Sequence, residues 1–352
     1  MIVVIGASAG GVTATLRLAS ALPPRFPAPI VVVQHIGAQP SRLSELLNAR
    51  GPNVAVNAAE GVVPVAGTIY VAPPDHHVLL RNGCLRLTKS AKENHARPAI
   101  DPLFRSAAIE YGPQAIGVIL TGMLDDGAAG LRAIKECGGI AVVQDPDDAH
   151  EPSMPRSAMA ATEVDHVVEI DALAGLLTDL VHQHQRQRQR HEGSMKEPPL
   201  RLIREQAAGD SGNALEFLKD IGKPSTFSCP DCGGVMFELD DKRPLRFRCH
   251  TGHAYSMLSL AARQEEIADQ ALWSALRAMQ EKEAGLRRMA ERLRPGLGQR
   301  EQVLQEAELL AEATRTLRGF TARLPVDGVP SSPLVDLNPD EEVDPEGGDS
   351  DA

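Results

Sequence analysis

Aromatic side chains are scarce in this 352-residue chain, at 3%, with one Trp, three Tyr and seven Phe. Val, Ile, Leu and Ala must therefore fill the core, and an apolar content of 43% is ample for that. Long hydrophobic runs are lacking too. The apolar stretch at the N-terminus is five residues long with no basic residue ahead of it, which excludes a signal peptide or membrane span there. No basic surplus exists either: net charge is −11, and residues 325–352 hold nine acidic and no basic side chains, leaving the remainder nearly neutral. The broad positive field that nucleic-acid binding requires is absent, so no nucleic-acid partner and no membrane insertion are expected. Five cysteines in a chain of this length do not suggest a disulfide framework, and three of them stand at metal-ligand spacing. The expectation is a reduced, cytoplasmic protein.

Short β-branched runs alternate with helical patterns up to about His182: IVVI, PIVVVQ, TIYVAP, GVILTG, GIAVVQ and HVVEI, with helices through Leu16 and Leu131. That alternation predicts an α/β fold, a doubly wound, mostly parallel sheet of Rossmann-like type with helices on both faces. HHVLL-RNG-CLRLT interrupts it as a β-hairpin turning at Asn82-Gly83. The polar repeat HQHQRQRQRHEGSMKEPP, ending in two prolines, has linker composition. A short amphipathic stretch near Leu218, a Cys/His cluster and two helical stretches, about 256–292 and 299–324, follow. Pro295-Gly296 separates those helices, which predicts a hairpin or coiled-coil-like pair. The expected organisation is a catalytic domain at 1–182, a linker at 183–200, a zinc-binding knuckle region at 201–255, a helical hairpin at 256–324 and a disordered acidic tail at 325–352.

The opening MIVVIGASAGG reads as strand, tight turn and helix start. A dinucleotide-binding loop needs G-x-G-x-x-G, but Ser8 stands where its second glycine belongs. Gly6 to Gly10 instead match G-x-S-x-G, which projects a serine from a strand-to-helix turn beside helix amides able to hold an oxyanion. Taken alone, Ser8 fits an N-cap as well. A nucleophilic serine needs a base, and the base needs an acid to orient it. His35 ends the PIVVVQ run and Asp126 follows GVILTG, so the strand pattern brings all three to the carboxyl edge of one sheet. Singly, His35 could be a helix cap and Asp126 a turn residue. The order Ser, His, Asp differs from the Ser, Asp, His order of α/β-hydrolases.

The ordered segments IGASAGG, VVVQHI, IYVAPPDHH, RPAIDPLFRSAA, VILTGMLDDGAAG and EPSMPRSA together resemble the catalytic domain of chemotaxis protein-glutamate methylesterases, the CheB family, from about Ile2 to Leu180. The resemblance implies a serine esterase that hydrolyses glutamate γ-methyl esters on the cytoplasmic helices of methyl-accepting chemotaxis receptors, with glutamine deamidation as a companion activity and no cofactor for catalysis. It assigns the triad to Ser8, His35 and Asp126, and the Thr-Gly-Met segment to Thr121–Met123. The family usually has threonine where Ala9 stands and often asparagine where Asp125 stands; a second carboxylate at 125 is expected to raise a neighbouring carboxyl's pKa. Family members usually begin with a phosphoacceptor receiver domain, whereas the resemblance here starts at the first strand, so regulation through an attached receiver is not expected. Amides near Ala9, Gly10 and Met123 are candidates for an oxyanion site.

Cys229-Pro-Asp-Cys232 and Cys249-His-Thr-Gly-His253 present C-x2-C and C-x3-H pairs, which suit a tetrahedral, structural zinc, with Gly233-Gly234 permitting the knuckle turn. His250 competes with His253 as fourth ligand by spacing, and similar C-x-x-G-H segments accompanying some stand-alone methylesterase-like domains favour His253. Cys84, Cys137, His76, His77 and His95 read as structural. A second reading makes the chain a non-enzymatic adaptor, a degenerate esterase domain that positions the zinc and helical module against a partner.

Overall fold

The computed structural model describes residues 1–36, 40–188, 197–210, 214–241, 243–293 and 298–321. The Pro295-Gly296 break, residues 189–196 of the polar repeat, and the acidic tail lie outside the described residues. The chain divides into two compact units, Met1–Arg263 and Gln264–Ala352.

Seven strands form the first unit's main sheet: β1 Ile2–Ala7, β2 Ile30–Gln34, β3 Val54–Asn57, β4 Thr68–Val71, β7 Ala115–Ile119, β8 Ile140–Gln144 and β9 His166–Val168. Their order is β3-β4-β2-β1-β7-β8-β9, and every pairing is parallel. Parallel strands need crossovers, and helices α1 Gly11–Ala21, α2 Leu43–Arg50, α3 Ile100–Tyr111, α4 Ala128–Glu136, α5 Ser153–Ala161 and α6 Ile170–Arg188 alternate with the strands. The central strands β1, β2 and β7 are buried along their whole length, which is why they read as unbroken β-branched runs. Two aliphatic clusters cover the faces, one around Val4, Val33, Leu103 and Ile119, the other around Ile5, Leu18, Val118 and Leu177. The chain order reverses direction between β1 and β7, so the loops after these strands diverge and leave a crevice at their carboxyl ends.

The predicted hairpin is present as β5 His77–Arg81 and β6 Cys84–Thr88, with positive φ at Asn82 (52°) and Gly83 (72°). Two positive φ angles in sequence match the twist of the flanking strands, and Asn-Gly tolerates them. β3 has no counterpart in the expected strands: it is an edge strand with three of its four residues exposed, and it lacks an apolar run. The polar repeat taken as linker starts as helix, because α6 continues to Arg188 through residues with good helix propensity.

Helices α7 Leu200–Asp210 and α8 Ala214–Leu218 lead into an antiparallel sheet of β10 Gly222–Ser228, β11 Val235–Leu239, β12 Arg246–Cys249 and β13 Ala254–Ser256. Phe227 and Phe247 meet edge to face in its small core, centroids 5.2 Å apart. This Cys/His module belongs to the first compact unit and is joined to the α/β sheet by charge. Arg105 on α3 pairs with Glu93 and with Glu205 on α7, at 2.8 and 3.0 Å. Arg248 on β12 reaches the same two carboxylates at 2.8 and 3.3 Å, and Arg246 grips Glu205 with both terminal nitrogens at 2.6 and 2.7 Å. All five side chains are buried.

The long helices are α9 Met257–Arg292 and α10 Gln299–Thr321. In the second unit they are bridged by Lys282–Glu306 at 2.7 Å and Arg287–Glu308 at 3.4 Å. Among the described residues no helix is long and apolar enough to cross a membrane.

Candidate active site and metal cluster

Ser8 follows β1 in a turn whose backbone is pinned on every side. Its N–H donates to Thr121 O (3.0 Å), and its own C=O accepts from Gln34 Nε2 (2.8 Å) and the Gly11 amide (2.9 Å). Gly10 has φ 75°, a left-handed conformation that glycine adopts without strain, and a Cβ on Gly11 would fall 2.3 Å from Gln34 Oε1. The G-A-S-A-G-G run is thus needed for backbone approach. Thr121 locks the turn from the β7 side, donating its hydroxyl to Ala9 O at 2.9 Å.

His35, one residue past β2, faces Ser8 with Nδ1 at 3.1 Å from Oγ and places Nε2 2.7 Å from Asp126 Oδ2. The three residues singled out in the sequence therefore form one hydrogen-bonded line. With the carboxylate accepting, the imidazole carries its proton on Nε2, and Nδ1 is left with a lone pair directed at the serine hydroxyl.

Asp126 is 2% exposed. Burial alone would raise its pKa, but hydrogen bonding from His35, the Ile100 amide (2.6 Å) and Asn94 Nδ2 (2.9 Å) holds the carboxyl below the usual range. The strain on charge appears in its neighbours. Asp125 is pushed up to about 6, mainly by burial, with Asp126 adding to it. Asp101 is raised well above normal by burial and by Asp126. The expectation that the second carboxylate at 125 would raise its neighbour is not met: Asp126 is held down by its hydrogen-bond donors, and it is Asp125 itself that is raised, chiefly by its burial.

A cleft beside the line is bounded by His35, Ile36, Asp75, Lys92, His95 and Arg97. Arg97 donates to Asp75 through Nε and Nη2 and to the Lys89 and Ser90 carbonyls through Nη1, which stiffens this wall. The amides of Ala9, Gly10 and Met123 donate to no protein acceptor among the described residues. They remain available to a ligand oxygen. His77 is structural: burial lowers its pKa, Nδ1 accepts from the Ala99 amide, and Nε2 donates to Ala91 O. Asn94 escaped the sequence reading. Its left-handed backbone (φ 49°) is one that asparagine tolerates, but no motif marked it.

In the Cys/His module the ligand atoms of Cys229, Cys232, Cys249 and His253 lie within 4.8 Å of one another. Zinc at about 2.3 Å from sulphur and about 2.0 Å from nitrogen would make tetrahedral edges of about 3.8 Å (S to S) and about 3.5 Å (S to N). Cys232 and Cys249 Sγ are 3.7 Å apart, and Cys249 Sγ is 3.6 Å from His253 Nδ1, so the donor set fits such an ion. His250, the competing ligand, packs its ring over Gly234, where a Cβ would lie 2.2 Å from Cε1.

The family model described as CheB methylesterase matches residues 3–177. A Leptospira interrogans protein named "Putative protein-glutamate methylesterase/protein-glutamine glutaminase" is 42% identical over 188 residues, 53% of this chain and 97% of its own length. The "Protein-glutamate methylesterase/protein-glutamine glutaminase 2" of Anaeromyxobacter dehalogenans is 40% identical over 51% of this chain and 53% of its own. The crystal structure of the Thermotoga maritima CheB methylesterase catalytic domain aligns with 51% of this chain and 97% of its own at 36% identity, TM-score 0.49. Residues beyond 177 lie outside the family model's match, and over the matched part the chain belongs to the CheB methylesterase family.

Proposed function

We propose that this protein hydrolyses glutamyl γ-methyl esters on the cytoplasmic helices of chemotaxis receptors, and deamidates glutamine at such positions, with Ser8 as nucleophile, His35 as base and Asp126 as the orienting acid. The single observation that carries the reading is the line Ser8 Oγ, His35 Nδ1 and Nε2, Asp126 Oδ2, spanned at 3.1 and 2.7 Å beside a cleft. Names of relatives supply the substrate class.

The chemistry follows from the geometry. His35 Nδ1 takes the Ser8 proton as Oγ attacks the ester carbonyl; the imidazolium is stabilised by Asp126 through Nε2. The tetrahedral oxyanion is held by amide donors, for which Ala9, Gly10 and Met123 are the candidates. Collapse expels methoxide, which leaves as methanol with the proton from Nδ1; for a glutamine substrate the leaving group is ammonia. Water then attacks the glutamyl-serine ester, again losing a proton to Nδ1, and releases glutamate and free Ser8.

Zinc is the proposed ion for Cys229, Cys232, Cys249 and His253. Four protein ligands close the coordination shell, which gives the ion a structural role. A cytoplasmic location accords with the substrate helices and with unpaired cysteines. The deciding experiment is methanol release from a methylated receptor domain, which Ser8→Ala abolishes if the assignment is right; undiminished release by folded Ser8→Ala protein would refute it.

A further inference from the structure

Beyond the segment matched by the family, the chain returns to the site at β13 and the first turn of α9. The Asn94 amide donates to Ala254 O at 2.8 Å, and the Ala254 amide donates to Lys92 O at 3.2 Å, so β13 lies against the cleft-wall loop. Ser256 and Ser259 then form a reciprocal cap on α9. Ser256 Oγ accepts from the Ser259 amide at 3.0 Å, and Ser259 Oγ accepts from the Ser256 amide at 2.9 Å. Each hydroxyl keeps one proton to give. Ser256 gives its proton to Asp125 Oδ1 at 2.7 Å, and Ser259 gives its own to Asn94 Oδ1 at 2.8 Å.

The amide orientation of Asn94 is thereby set. Its oxygen faces donors from the module, and its two N–H protons go to Asp126 Oδ1 and Asp101 Oδ2, both at 2.9 Å. A flipped amide would set its oxygen against the Asp126 carboxylate and its N–H protons against donors. The two serines lie over 160 positions from Asn94 in sequence yet decide which atom it offers to the acid of the site.

We propose that Asn94 is a positioning residue for the Asp126 carboxylate and that Ser256 and Ser259 of the Cys/His module hold it in place, so that the module forms part of the machinery aligning His35. The inference rests on the reading of Ser8, His35 and Asp126 as an ester-hydrolysing line. It goes beyond that reading by making the esterase depend on a segment outside residues 3–177, the part that the family model matches.

The test uses the full-length chain carrying Asn94→Ala, Ser259→Ala, Ser256→Ala/Ser259→Ala, and the combination of all three. Kinetics on a small glutamate γ-methyl ester are read together with the rate at which a fluorophosphonate labels Ser8. Asn94→Ala should lower kcat about 10- to 100-fold with KM changed less than about twofold, since an acid misplaced by a fraction of an ångström spoils alignment and not binding. The acid limb of kcat/KM should move to higher pH in Asn94→Ala, because a carboxylate deprived of a donor holds the proton it shares with the imidazole more tightly. A purely structural effect would scale the profile without moving that limb. The serine double variant should lose about tenfold alone and almost nothing further in the Asn94→Ala background. Wild-type kcat in folded Asn94→Ala protein, or losses that multiply, would overturn the proposal. Should Asn94→Ala fail to fold, Ser259→Ala decides: it removes one oxygen, and an unchanged labelling rate overturns the clamp. A wild-type chain that labels at Ser8 but releases no methanol from a methylated receptor domain defeats the receptor reading, and the labelling rates still decide the clamp.

Discussion

A Cβ placed on Gly122 would come within 2.8 Å of Ser8 Cβ, and within 2.7 Å of Met154 Cε. The glycine after Thr121 is therefore the space in which the serine stands. Gly122→Ala should keep the fold and push Ser8 off the His35 line, lowering kcat about 10- to 100-fold for a displacement of a few tenths of an ångström. Steady-state kinetics with a thermal melt on the same sample checks this; a variant with full kcat would show that the turn gives way elsewhere.

Ser8→Ala and His35→Ala should each reduce turnover by about 10⁴-fold or more, and the double variant should be little worse than either, because the pair acts as one unit. Circular dichroism must show the fold intact. Multiplying losses would mean that the two residues work in separate steps.

Much of this site was legible in the sequence because its parts carry local constraints. Gly6 to Gly11 announce a crowded turn, β2 and β7 lead into His35 and Thr121 because parallel strands end at one edge, and the C-x2-C and C-x3-H pairs announce their knuckles by spacing. β3 was not legible, since an exposed edge strand such as VAVN needs no continuous apolar run. The Arg105, Glu93, Glu205, Arg246 and Arg248 cluster was not legible either: charge defaults to the surface, and these partners lie up to 155 positions apart. Arg248, in a strand buried throughout and flanked by Phe247 and Cys249, was the one visible sign that its charge is buried. Asn94 has no signature of its own, because its role comes from contacts with Ser259 and Asp126 that only the folded chain assembles.

Removing the proposed zinc should do more than melt a knuckle. β13 begins directly after His253, so loss of the ligand cluster frees the segment that holds Asn94. Dialysis against a strong chelator should lower the rate on a small methyl ester at least severalfold, and added zinc should restore it. The main sheet should keep its circular dichroism signal. Full activity in metal-free protein would separate the knuckle from the site.

Asp125 offers a pH test. Its folded pKa, pushed up to about 6, lies above that of an unfolded aspartate near 4, so the native state binds the extra proton between these values. Stability should fall as pH rises from about 4 to about 6 on its account and stay lowered above that. Asp125→Asn, which keeps an oxygen for the Ser256 hydroxyl, should remove this dependence and stabilise the protein at pH 7 by up to about 3 kcal/mol. Urea titrations at pH 4.5 and 7 read both effects, and no gain at pH 7 would show that the carboxylate is compensated.

The opposite sign applies to the buried clasp between sheet and module. Glu93 is held down to about 2 and Glu205 lower still; burial opposes this, but the guanidiniums of Arg105, Arg246 and Arg248 outweigh it. For groups depressed in the folded state, the stabilisation is complete above the unfolded glutamate pKa near 4.3 and drains away as pH falls towards about 2. Glu205→Gln leaves Arg105 and Arg248 to share the single carboxylate of Glu93, and Arg246 with Asp241 alone, a loss of about 3–5 kcal/mol by comparison with other broken buried pairs. Because Glu93 adjoins Asn94, this variant should lose ester turnover as well as stability, and its unfolding should depend less steeply on pH below 4.5 than that of the wild type. Denaturant midpoints at pH 7 and 3.5, with esterase rates at pH 7, provide the check. A destabilised variant with unchanged rate would confine the clasp to holding the module on, whereas an unchanged midpoint would show that the five charges are not coupled.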